Sequence, residues 1–104
     1  MIWLKEGEKR TIRASVRRLT GEGAITLTSP QRRILTAART LVAGFDWAAA
    51  AWVSTLGAEE ISTLFDSTAA GLTGVGFYFV QLRGVIGAEL YGIEIKVEVL
   101  DWGP

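Results

Sequence analysis

The sequence predicts an all-β chain folded as a small antiparallel β-sandwich, and three observations carry that expectation. Ile93, Ile95, Val97 and Val99 alternate strictly with Glu94, Lys96 and Glu98. A period of two is what a strand with one dry face and one wet face requires. Shorter alternations recur near the start of the chain, so strands at both ends are expected to share one core. Glycines at 7, 21, 23, 44, 57, 71, 74, 84, 87 and 92 cut the 104 residues into segments mostly of strand length.

Taken in order, Ile2 to Lys5 reads as a short edge strand or arm, turned by Glu6-Gly7-Glu8. Lys9 to Leu19 sets Ile12, Ala14 and Val16 against Arg13, Ser15 and Arg17, a half-exposed strand with a basic outer face. Gly21-Glu22-Gly23 signals a turn, and Ile25-Thr-Leu-Thr resumes the alternation.

The middle supports two readings. Ser29-Pro30 looks like a helix cap followed by proline at the first helical position. Ile34, Leu35, Ala38, Leu41 and Val42 fall at helical spacing, and Trp47-Ala-Ala-Ala-Ala-Trp52 is good helix material. Against that stand the β-branched Thr36, Thr40, Thr55 and Thr63, and the strand-like series Ile34, Thr36, Ala38, Thr40 and Val42. The alternative to a sandwich is therefore an α+β fold with one or two helices between residues 30 and 70.

Glu60 to Asp66 alternates again, and Asp66-Ser67-Thr68 closes it with turn formers. Ala69 to Gly74 reads as a loop. Val75 to Arg83 carries large residues on both faces, as a central strand would, and Gly84 and Gly87 bracket a reversal into the last strand.

Composition bounds the rest. With 49% hydrophobic and 21% charged residues the chain is that of a folded protein, and 1–104 is of a size for a single domain. It holds no Cys and no His, which removes the usual zinc ligands, the His general base and the Cys nucleophile. No enzyme activity, cofactor or metal is expected. No apolar run reaches the roughly 20 residues of a membrane helix, and the opening ten residues are too charged for a signal peptide. Synthesis in a cytoplasm and no membrane partner are the expectations.

The zero net charge conceals a polarity. Residues 1–40 hold nine basic side chains against three acidic ones, a net +6, and residues 41–104 hold two against eight, a net −6. Such halves neutralise each other inside one fold, bind an anion, or pair copies head to tail.

Each candidate site has a plainer explanation beside it. Arg13, Arg17, Arg18, Arg32 and Arg33 suit phosphate or carboxylate, but aromatics do not interleave with them and the domain is not basic. Nucleic acid is therefore not an expected partner. Trp3, Trp47, Trp52 and Trp102 suit a sugar platform, or core and interface anchoring. Glu59, Glu60 and Asp66 suit calcium or a carboxylate pair, at a spacing that matches no binding loop. Gly71-Leu-Thr-Gly-Val-Gly76 precedes a strand, the wrong context for a phosphate loop.

The order of segments also resembles a known family. Leu4-Lys-Glu-Gly7 leads into the strand Thr11 to Arg18 and then Ile25-Thr-Leu-Thr. Later come Leu64-Phe-Asp-Ser-Thr68, Gly76-Phe-Tyr-Phe-Val, Gly87-Ala-Glu-Leu-Tyr91 and the closing strand. The series is similar to the immunoglobulin-like β-sandwich modules of phage and prophage tail and baseplate proteins, in the style of the N-terminal domain of siphophage upper baseplate proteins. The Ala-rich stretch 47–52 departs from that pattern. The resemblance implies a non-enzymatic virion part that assembles with its own copies or with other virion proteins.

The expected interface sets Arg13 and Arg17 of one copy against Glu94 and Glu98 of another, with Trp3 and Trp102 as the aromatic anchors of its desolvated centre. The alternative function is a sandwich that binds carbohydrate or another small ligand. A third class, a small α+β enzyme using carboxylates, ranks below both.

Overall fold

The computed structural model describes residues 2–16, 26–54 and 59–101. Eight strands form two sheets: β1 (Ile2–Lys5), β2 (Lys9–Ser15), β3 (Leu27–Thr36), β4 (Ala48–Ala49), β5 (Ala51–Val53), β6 (Glu60–Asp66), β7 (Gly76–Ile86) and β8 (Glu89–Leu100). The large sheet runs β1-β8-β7-β3-β4 and the small one β2-β6-β5. A five-stranded sheet and a three-stranded sheet sharing one core make a small β-sandwich. Every pairing is antiparallel except β1 with β8, which is parallel.

The core follows from the alternation. Tyr78, Val80 and Leu82 of β7 stand opposite Val97, Ile95 and Ile93 of β8, all on the inner face. Ile34 of β3 and Leu4 of β1 extend that layer, while Ile12, Ala14, Ile61 and Phe65 close it from the small sheet. The Phe65 and Tyr78 rings meet edge to face at 5.6 Å, a favoured aromatic geometry. The Tyr78 hydroxyl donates back to the carbonyl of Gly74 at 3.1 Å. That bond is the tyrosine corner of immunoglobulin-type sandwiches, which fixes the entry into this strand.

The helical alternative for 30–70 does not hold, since none of the described residues there is helical. Ser29-Pro30 is a strand interruption and not a helix start. The register of β3 on β7 slips between Thr28 and Gln31, and Ser29 takes a φ of 53°. A bulge tolerates a proline, which has no N–H to give to the ladder. The Ala-rich stretch changes sheets instead of coiling. Ala48 and Ala49 pair with β3, Ala50 donates to the Pro30 carbonyl at 2.9 Å, and Ala51 to Val53 then pair with β6.

The reversal between β7 and β8 also differs from expectation. Gly84 lies inside β7 opposite Tyr91, and the two-residue loop is Gly87-Ala88. Gly87 has a φ of 63°, the value a tight hairpin loop demands at its first position. Gly84 is glycine for a different reason. A Cβ there would lie 2.6 Å from Cγ of Leu27, so the side chain of Leu27 occupies the space a larger residue would need.

Candidate functional site

The outer face of the large sheet collects the polar and aromatic residues that point away from the core. On β7 these are Phe77, Phe79, Gln81 and Arg83, standing opposite Glu98, Lys96, Glu94 and Gly92 of β8. From β3 come Gln31, Arg33 and Leu35. Alternation forces all of them to one side.

Cations and rings organise this face. The Arg83 guanidinium lies 3.7 Å from the centre of the Trp47 ring, and that of Arg33 lies 4.7 Å from it. Arg39 covers Phe79 at 4.3 Å, and Lys96 covers Phe77 at 3.9 Å. Hydrogen bonds fix the arginines laterally. Arg33 donates twice to Gln81 Oε1, at 2.9 and 2.6 Å, and Arg83 Nε donates to Gln31 Oε1 at 2.9 Å. Gln81 in turn donates to Glu94 Oε1 at 3.1 Å. The hydrogen bonds from Arg39 and then from Gln81 hold the Glu94 carboxyl below the usual range.

A groove of about 380 Å³ opens on this face beside Trp47, Gln81, Arg83, Leu90, Gly92 and Glu94. Its origin is simple. Positions 90 and 94 of β8 carry side chains, and Gly92 between them carries none.

The residues expected at an interface separate into two groups. Trp3 is the register partner of Glu98, so Trp3, Glu94 and Glu98 all lie on the outer face of the large sheet. Arg13 stands opposite Ser62 on the outer face of the small sheet and reaches Glu60 at 3.8 Å. Arg17 and Trp102 lie outside the described residues, as does Arg18.

The charge polarity is partly satisfied within the fold. Lys9 with Asp66, Arg13 with Glu60, and Arg39 with Glu94 each join the basic first 40 residues to the acidic remainder. The arginines do not form one cluster. Arg32 donates to the Asp46 carbonyl at 2.6 Å and covers Phe45 at 5.0 Å, away from Arg13.

The other candidates resolve locally. Among the described residues no group of three acidic side chains is placed to hold a metal ion. Asp66 instead accepts from the Thr68 hydroxyl and backbone, which lowers its pKa. The tryptophans do not form a shared sugar platform. Trp52 packs against the core, Trp3 is 55% exposed on its own, and guanidinium groups lie over the Trp47 ring. The residues that sequence reasoning passed over are Arg83 and Gly92, whose only signal is their spacing about the hairpin loop.

No family model matches the chain, and neither does any curated protein.

Proposed function

We propose that the chain is a non-enzymatic assembly module, associating head to tail with its own copies as a structural part of a phage or prophage virion. One observation carries the reading. Arg13 lies on one outer face of the sandwich, and Trp3, Glu94 and Glu98 lie on the other. Groups on opposite faces do not meet within a copy, whereas stacking brings the Arg13 face of one copy against the acidic face of the next.

The existing ion pair does not forbid this. Arg13 and Glu60 are 3.8 Å apart and Arg13 is largely exposed, a geometry worth little in water. Leu64 and Val53 on the Arg13 face, and Trp3 on the other, are exposed apolar groups for a desolvated centre. A contact between unlike faces repeats from copy to copy and closes into a ring or runs as a filament. The virion assignment rests on the family resemblance of the segment order.

Light scattering at micromolar concentration tests the assembly. An oligomer is expected, weakened by Arg13→Glu and partly restored when Glu98→Arg is added. A monomer at every concentration overturns it.

A further inference from the structure

We propose that the groove over Gly92 is a binding site for a small carboxylate carried on a flat apolar body, anchored by Arg83. The hollow is built into the strand pairing. Gly92 faces Arg83 across the β7–β8 ladder, and a Cβ at Gly92 would meet nothing nearer than the Leu82 carbonyl oxygen at 3.8 Å. The resulting space of about 380 Å³ falls within the range of small-ligand pockets, roughly 300–1,000 Å³.

Arg83 is arranged to receive an anion. Its plane is fixed by the Trp47 ring at 3.7 Å and by Gln31 on its Nε at 2.9 Å. Its two terminal nitrogens donate to no acceptor among the described residues. A guanidinium held this way offers a carboxylate two parallel hydrogen bonds with little ordering left to do.

The surrounding charge favours an anion as well. Arg33, Arg39 and Arg83 share this part of the face with Glu94, and Glu94 is already engaged by Arg39 and Gln81. The walls favour an apolar body. Leu90 is 71% exposed at the rim, and the Trp47 ring borders the same space. A bare inorganic anion would leave Leu90 wet, while a hydrocarbon ring next to the carboxylate covers it. The groove lies on the face that head-to-tail stacking would use, and Glu94 belongs to both. Ligand binding is read at Trp47, Arg83 and Gly92 and assembly by light scattering, so the two proposals fail separately.

Nuclear magnetic resonance on the full chain tests the site, with naphthalene-2-carboxylate as the probe. Its uncharged amide, inorganic phosphate and tetraglutamate are the comparisons. The carboxylate is expected to give saturable shifts at the Trp47 indole N–H, the Arg83 Nε–H and the Gly92 amide. Amide and phosphate are expected to bind at least about tenfold more weakly. Gly92→Leu fills the hollow beside Arg83, and Arg83→Gln removes the anchor, so each is expected to abolish the shifts. Equal binding of the amide, or binding that survives Gly92→Leu, overturns the site. Equal binding of phosphate overturns the apolar subsite, and tighter binding of tetraglutamate overturns a small-molecule ligand in favour of an acidic protein segment. No saturable response in the millimolar range overturns the proposal outright.

Discussion

Arg39 grips Glu94 with both ends of its guanidinium, Nη1 to Oε1 at 2.7 Å and Nη2 to Oε2 at 2.8 Å. The grip begins in a strained turn. Arg39 follows Thr36-Ala37-Ala38 with a φ of 62°, a left-handed position that usually takes glycine. The Thr36 carbonyl accepts the Arg39 N–H at 2.8 Å, and the Thr36 hydroxyl accepts the Thr40 N–H at 3.2 Å. The turn thus points a long cation across β7 to β8, over the ring of Phe79.

The Glu94 carboxyl accordingly titrates below the usual carboxylate range. A carboxylate whose folded pKa lies below its unfolded value of about 4.3 contributes stability above that value. The contribution is lost as the pH falls through the folded pKa. Carboxyl shifts followed by nuclear magnetic resonance are expected to show a depressed Glu94 midpoint, with the midpoint raised in Arg39→Gln. An unchanged midpoint in that variant would mean that the ion pair does not set it.

Val97 and Glu98 are neighbours in sequence with opposite surroundings. Val97 is fully buried in the core, while Glu98 faces outward opposite Phe77. Val97→Asp is expected to unfold the domain, because an unpaired buried carboxylate costs several kcal/mol against a total stability of about 5–15 kcal/mol. Glu98→Lys is expected to shift the thermal midpoint by only a few degrees. Comparable melting of the two variants would mean a different register for β8.

Tyr78 offers a smaller, sharper measurement. Its hydroxyl bonds the Gly74 carbonyl, and its ring packs on Phe65. Tyr78→Phe keeps the ring and removes the bond, at an expected cost of about 1 kcal/mol. Urea unfolding with an unchanged m-value would report that loss as stability alone. No loss would remove the corner as a stabilising element.

Segments whose patterning agrees with their surroundings were legible in the sequence. Glu60 to Asp66 and the Ile93 to Val99 alternation are strands as expected, because one face of each is dry. Ser29-Pro30 and the run 47–52 misled for a physical reason. Alanine carries almost no face preference, so its partners decide: Gln31 and Arg32 for Ala49 and Ala48, Ile61 for Trp52. Proline at a bulge satisfies the same local geometry as proline at a helix start. The groove was not legible at all. Arg83 and Gly92 are ordinary residues in the sequence, and only the register of β7 on β8 sets one beside the other.

Gly84 supplies the last test, because its sequence position suggests a turn residue and its surroundings make it a packing one. Its φ is not in the left-handed region, so alanine meets no backbone penalty there. The obstacle is Leu27, with Cγ at 2.6 Å and Cδ1 at 2.9 Å from the position a Cβ would take. Leu27 is itself buried on the neighbouring strand β3, and the whole branched end of its side chain must move. Overpacking of this kind costs about 1–3 kcal/mol. Gly84→Ala alone is therefore expected to destabilise the domain by that amount. Leu27→Ala alone is expected to cost about 2–5 kcal/mol through the space it leaves. In the double variant the new methyl enters the space vacated by leucine, so the two losses are expected to be less than additive by at least about 1 kcal/mol. Strict additivity in denaturant unfolding would show that Leu27 does not sit over Gly84.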